Sequence, residues 1–282
     1  MSEAARSAPA ISAHRGGGDT ARSETYEAYR GALEAGAEYV EFDVRRTADG
    51  TLVAFHRARL SWGRAVAALS YAKLCDLAGY EVPRVTELME LLAGRAVGHV
   101  DLKEPGCADA IVRRAVEALG PDGVLITTGE GAVAAVLKRR FPAVPVGLSI
   151  GGDAGEAAAF AVRRLCAPGL SRLDRIVASR ADVAVVHHRL ARTGVLAECR
   201  RRGIKTMVWT VNGDQALTGW LASPYVDVLV TDRPARAIAL RRRLDGPGRE
   251  TVQAGHICPQ AEVNGNDGGR NPAVTCELEV NE

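Results

Sequence analysis

From Ile11 to Leu244 the chain alternates short Val- and Ile-rich runs with amphipathic stretches of helical period. The apolar runs predict strands over 97–102, 123–127, 144–150, 182–187, 204–211 and 226–231. Between and after them the 3.6-residue period predicts helices over 108–119, 132–140, 156–165, 190–202, 214–221 and 235–244. Two further strands start around Ile11 and Tyr39, which brings the count to eight βα units. Strands apolar on both faces that alternate with helices predict a parallel sheet. Eight such units in this length predict an α/β (β/α)₈ TIM barrel, with an open doubly wound sheet as the runner-up. The barrel is expected over residues 10–244 as a single domain.

After about Asp245 the pattern stops. Asn264-Gly265-Asn266-Asp267-Gly268-Gly269 and neighbouring Pro, Gln and Glu residues cannot bury a core. Residues 245–282 are therefore expected to form a flexible, disordered or loosely docked tail.

Composition narrows the class only modestly. The 282 residues are 47% hydrophobic and 25% charged, which is ordinary for a globular chain. Thirty-six Lys and Arg nearly balance 34 Asp and Glu, so net charge gives no reason to expect nucleic acid. The runs Arg200-Arg201-Arg202 and Arg241-Arg242-Arg243 end helical patterns, where cations suit the helix dipole. No segment reaches the ~18 consecutive apolar residues of a membrane span. Met1 to Pro9 lacks the basic start and apolar centre of a signal peptide. Cys75, Cys107, Cys166, Cys199, Cys258 and Cys276 are scattered without a Cys-x-x-Cys pair, a pattern that fits reduced cytoplasmic thiols.

The chemistry gathers where apolar strands end. His14 and Arg15 close the first strand, Glu41 and Asp43 the second, and His56 the extended piece after it. Asp101 and Lys103 end the next, and Trp209, Asn212 and Asp232 end the last two. In a TIM barrel these positions share the C-terminal rim, where active sites lie. Residues at i and i+2 of a strand face the same side, so Glu41 and Asp43 converge while Phe42 packs behind them. Adjacent carboxylates in a barrel mouth repel unless a cation neutralises them, and oxygen donors suit Mg²⁺ or Ca²⁺.

Each of these residues also has a plain structural reading. Glu41 and Asp43 can pair with Arg45 and Arg46, Lys103 with Asp101, and Trp209 can be core. Asp232 is expected to cap the last helix, with Pro234 just inside it. His99 is read as structural, and one of His187 and His188 can face the site.

Taken together, the motifs resemble the glycerophosphodiester phosphodiesterase family of (β/α)₈ metalloenzymes. They run in order: His14-Arg15-Gly16, Ser23-Glu24-Thr25-Tyr26, Glu41-Phe42-Asp43-Val44, Thr47-Ala48-Asp49-Gly50 and His56. Asp101-Leu102-Lys103, Trp209-Thr210-Val211-Asn212 and Thr231-Asp232-Arg233-Pro234 follow. The resemblance implies that Glu41, Asp43 and Asp101 hold a divalent metal, Mg²⁺ or Ca²⁺, and that His14 and His56 are the acid–base pair. It further implies that Arg15 and Lys103 grip the phosphate, with Glu24 as a supporting acid beside the pocket and Trp209 on the substrate side.

The expected reaction is hydrolysis of a glycerophosphodiester, a small-molecule phosphoester, to an alcohol and glycerol phosphate. Arg57 stands where that family carries an aspartate, and the connection from His56 to Val97 leaves no room for a helical insertion domain. The extra cation keeps an alternative in view. In it, the same scaffold acts as a Mg²⁺-dependent lyase or cyclase on a lipid or isoprenoid phosphate or diphosphate, lined by Trp62, Tyr71, Tyr80 and Trp209.

Overall fold

The computed structural model describes residues 8–60, 63–151 and 172–245. Trp62, the helix expected over 156–165, Cys166 and the tail beyond Asp245 with its His256, Cys258 and Cys276 lie outside the described residues.

The strands are β1 (Ala10–Ala13), β2 (Tyr39–Arg46), β3 (Leu52–Ala54), β4 (Val97–Leu102) and β5 (Val124–Thr128). They continue with β6 (Val146–Ile150), β7 (Val183–His187), β8 (Lys205–Trp209) and β9 (Val228–Thr231). All pair in parallel except β3, and a β1–β2 pairing closes the ring. The result is the eight-stranded parallel TIM barrel that the alternation predicted.

Strand β2 is the longest and serves two neighbours on one edge. Its start pairs with β1 through Ser12↔Tyr39 and Ala13↔Val40. Its end, Val44 to Arg46, pairs instead with the antiparallel β3. This switch frees the chain after β1 to turn across the barrel mouth, and β3 delivers His56 to the same rim.

Pleating divides the buried residues into two sets. Outward positions such as Phe42, Val44, Val100 and Ile126 pack under the helices in the main core. Inward positions stack in layers. Tyr39, Leu125, Val183, Val185, Met207 and Val228 fill the floor. Above them come the buried Ser12, His99 and Thr127, then Glu41 and Asp43 at the mouth. The interior thus changes from apolar to polar along the barrel axis.

Local signals set the helix ends. Thr25 Oγ1 accepts from the Ala28 amide at 3.3 Å to start Tyr26–Ala35, and Gly36, at φ 88°, ends it. The helices Ala108–Leu119 and Asp214–Leu221 form as their periodicity predicts.

One expectation changes. The helix expected over 190–202 is broken at Gly194, which takes φ 83°, so only Leu196–Arg201 is a regular helix there. The connection from His56 to Val97 carries two helices that the sequence pattern did not predict. They are Tyr71–Ala78 and Val85–Leu92. The first belongs to a satellite core of Val53, Phe55, Val66, Leu69, Leu74 and Val82.

Candidate active site

The first strand ends in a turn that is strained for a purpose. Arg15 adopts φ 53°, ψ 37°, a left-handed conformation costly for a side-chain-bearing residue. Its backbone N–H is thereby aimed at Glu41 Oε2, 2.7 Å away. Gly16 follows at φ 78°, where a Cβ would meet both the ring and the amide of Tyr29 at 2.9 Å. Only glycine lets the turn press this closely on the first helix. Glu24 is also left-handed, at φ 64°. Its amide donates to the Arg15 carbonyl at 3.0 Å, which ties the second loop to the first.

Across the β2–β4 pairing Asp43 stands opposite Asp101. Glu41, Asp43 and Asp101 each offer a carboxylate oxygen, all within 4.8 Å of one another. The Lys103 ammonium lies 2.9 Å from Asp43 Oδ1 and also pairs with Asp101 Oδ2. Arg15 Nε pairs with Asp43 Oδ2 at 3.1 Å without hydrogen-bond geometry.

These charges pull the two β2 carboxyls in opposite directions. Burial, then the neighbouring Asp43 and Asp101, push Glu41 well above the usual carboxylate range. Burial would raise Asp43 too, but the His56 hydrogen bond and the Lys103 charge outweigh it and hold Asp43 well below. A buried carboxyl under such pressure suits a divalent cation, and an all-oxygen donor set suits Mg²⁺ or Ca²⁺. The residues present therefore fit such a metal.

Both histidines are held through Nδ1 by an aspartate. His56 Nδ1 lies 2.8 Å from Asp43 Oδ2, and His14 Nδ1 lies 2.5 Å from Asp232 Oδ1. Neither Nε2 makes a hydrogen bond among the described residues. The backbone fixes His56 twice more. Its N–H donates to Glu24 Oε1 at 2.7 Å, and its carbonyl accepts from Arg45 Nε at 3.0 Å. Glu24 therefore sits beside the pocket as a clamp on the His56 loop, and its own carboxyl is raised chiefly by burial.

Asp232 corrects an expectation. The last helix begins at Pro234, and the Asp232 carboxylate serves His14 and Asn212 rather than that helix. Asn212 Nδ2 donates to Asp232 Oδ2 at 2.5 Å, while Asn212 Oδ1 accepts the Asp232 amide at 2.9 Å. Both residues were visible as polar rim positions, but their partnership with His14 was not.

Trp209 ends β8 with its indole Nε1 buried and without a hydrogen-bond partner among the described residues. His187, opposite it in register on β7, meets its ring edge-on at 5.3 Å. Arg57 is exposed beside His56.

A parallel barrel whose rim joins a carboxylate cluster, two cations and two histidine–aspartate pairs has the makings of a phosphoric diester hydrolase. The chain belongs to the Glycerophosphoryl diester phosphodiesterase family, whose model matches residues 14–236.

Among curated relatives it is similar to a glycerophosphodiester phosphodiesterase of Caldanaerobacter subterraneus. That match is 23% identical over 253 residues, covering 83% of this chain and 98% of the relative. Among solved structures it resembles the glycerophosphodiester phosphodiesterase of Thermotoga maritima, with TM-score 0.66 and 22% identity over 84% of this chain and all (100%) of that one. It also resembles an Oleispira antarctica phosphodiesterase in complex with the product sn-glycerol-3-phosphate. There the TM-score is 0.64 and the identity 19%, over 83% of this chain and 96% of that one. Among the described residues no helix is long and apolar enough to cross a membrane.

Proposed function

We propose that this protein is a metal-dependent phosphodiesterase that hydrolyses a glycerophosphodiester to an alcohol and glycerol phosphate. The observation that carries this reading is the pair of histidines, each braced at Nδ1 by a carboxylate, beside the Glu41–Asp43–Asp101 cluster. The product bound to the Oleispira relative supports the glycerol phosphate side of the assignment.

Glu41, Asp43 and Asp101 would hold the cation, Mg²⁺ or Ca²⁺. When bound, it would stabilise negative charge on the phosphoryl oxygens as a Lewis acid. Arg15 and Lys103 add fixed positive charge on the same side and orient the phosphate. A carboxylate at Nδ1 keeps a hydrogen there and leaves Nε2 to exchange protons. One histidine takes a proton from the attacking hydroxyl, that of water or of the substrate's own glycerol. As the new P–O bond forms, the P–O bond to the alcohol breaks. Attack by water gives glycerol phosphate directly, and attack by the glycerol hydroxyl gives a cyclic phosphate that water then opens to glycerol phosphate. The other histidine then protonates the departing alkoxide.

The lyase or cyclase alternative draws no support from Tyr71 and Tyr80, two of its aromatic candidates. Tyr71 donates to the Val82 carbonyl under Arg84, and Tyr80 lies under Arg22. Both pack against the satellite core. The free Cys75, Cys107 and Cys199 suit a reducing, cytoplasmic setting.

The test is alcohol release from a panel of glycerophosphodiesters with Mg²⁺, Ca²⁺ or EDTA. Release that requires a divalent ion supports the proposal. Pyrophosphate released from a prenyl diphosphate, with every diester untouched, would overturn it.

A further inference from the structure

Below the carboxylate cluster lies a string of buried polar groups that the proposed reaction does not use. Ser12 Oγ is 3.0 Å from His99 Nδ1, and His99 Nε2 is 3.1 Å from Thr127 Oγ1. Thr127 Oγ1 is in turn 2.8 Å from Asp101 Oδ1. Ser12, His99 and Thr127 are 0%, 3% and 1% exposed, so water does not compete for these bonds. They come from β1, β4 and β5, and the string crosses the barrel interior to end on a carboxylate of the cluster.

We infer that Ser12, His99 and Thr127 form a one-way hydrogen-bond relay that orients Asp101 for a divalent cation, with His99 as its central positioning residue. The inference rests on the metal-binding reading of Glu41, Asp43 and Asp101.

The direction follows from counting hydrogens. An ionised carboxylate only accepts, so the single Thr127 hydroxyl hydrogen goes to Asp101. Thr127 Oγ1 can then only accept from His99, which places the imidazole hydrogen on Nε2. His99 Nδ1 is left as an acceptor and takes the Ser12 hydroxyl hydrogen. The opposite tautomer would draw the Thr127 hydrogen toward His99 and set two lone pairs against each other at Asp101. The buried ring meets a hydroxyl at each nitrogen and a carboxylate at neither.

Packing holds the threonine in place. On β6, Gly147 leaves room for the Thr127 methyl, which a Cβ at that position would meet at 3.1 Å. The methyl thus lies against Gly147 while the hydroxyl meets Asp101 and His99. Asp101 is then held at both oxygens, by Thr127 at Oδ1 and Lys103 at Oδ2. Removing outer partners of metal ligands costs about 10–100-fold in metal affinity.

The test uses the full chain and Mg²⁺ alone, titrated by calorimetry. Thr127→Val keeps the shape and removes the hydroxyl, and Thr127→Ser keeps the hydroxyl. The relay predicts that Thr127→Val weakens Mg²⁺ binding about tenfold or more, while Thr127→Ser stays within about twofold of the parent. His99→Phe should weaken it similarly, and the His99→Phe/Thr127→Val double variant no further, because one relay is cut once. Thermal melts confirm that each variant is folded.

Nitrogen NMR of the metal-free protein gives a second, independent reading and should find His99 as the Nε2–H tautomer. Parent-like Mg²⁺ binding by Thr127→Val, fully additive losses, or an Nδ1–H tautomer would each overturn the inference. If the parent binds no divalent ion, the metal assignment fails separately, and the tautomer still decides whether the relay runs as drawn.

Discussion

His14 and His56 each present Nδ1 to an aspartate, yet the two pairs are built from different materials. Asp43 is 2% exposed and is shared among His56, Lys103, Arg15 and the carboxylate cluster. Asp232 is 39% exposed, is braced by Asn212, and belongs to no such cluster. The exposure of the imidazoles is reversed: His14 is 17% exposed and His56 37%. One pair is therefore tied to the carboxylate cluster and the other stands apart from it. A change at Asp43 must disturb two functions, and a change at Asp232 only one.

The largest effect should come from Asp43→Asn. It removes a proposed metal ligand and the His56 partner together and leaves Lys103 and Arg15 without their shared anion. We expect kcat/KM to fall by about 10⁴-fold or more, with loss of Mg²⁺ binding in calorimetry. His14→Ala should lower kcat by about 10²–10⁴-fold while Mg²⁺ binding stays intact. Equal loss of metal binding in both variants would erase the distinction between the pairs.

Asp232→Asn sharpens the contrast. Asn212 Nδ2 donates to Oδ2, so the new amide oxygen takes that side and its NH₂ faces His14 Nδ1. That arrangement forces the hydrogen onto Nε2 and blocks it as a base. We expect a drop of about 10²-fold in kcat, a smaller drop for Asp232→Ala, and unchanged Mg²⁺ affinity in both.

Smaller effects are thermodynamic. His99 has an ordinary value of 6.5 and is held down to about 3 in the fold. Below pH 6.5 the unfolded chain takes up a proton that the folded protein refuses until about pH 3, so stability falls with pH across that window. The slope from this residue approaches ~1.4 kcal/mol per pH unit, and His99→Phe should remove it from urea-melt data. Gly16→Ala should cost about 1–3 kcal/mol in the same assay, through its φ of 78° and the contact with Tyr29.

Local pattern carried most of the barrel. Strand β4 and the helices Ala108–Leu119 and Asp214–Leu221 match their periodicity to the residue. Each is decided by its own amphipathic or apolar run. Tyr71–Ala78 and Val85–Leu92 were not read; in the first only Leu74 is buried, so the helix shows little apolar period of its own. The first is also supported by a satellite core that includes Val53 and Phe55, distant in sequence.

The site divides the same way. Glu41 and Asp43, or Asp101 and Lys103, are legible because i and i+2 share a face. The His14–Asp232 pair spans 218 positions, and nothing local distinguishes that aspartate from a helix cap. His99 looked structural for a similar reason, since its partners lie on β1 and β5.

The most direct test of the account is phosphorus NMR of a glycerophosphodiester incubated with the protein, with Mg²⁺ or EDTA, alongside His14→Ala. The account predicts glycerol phosphate growing only with the metal and only in the parent protein. Turnover that survives EDTA, or that His14→Ala leaves unchanged, would contradict it.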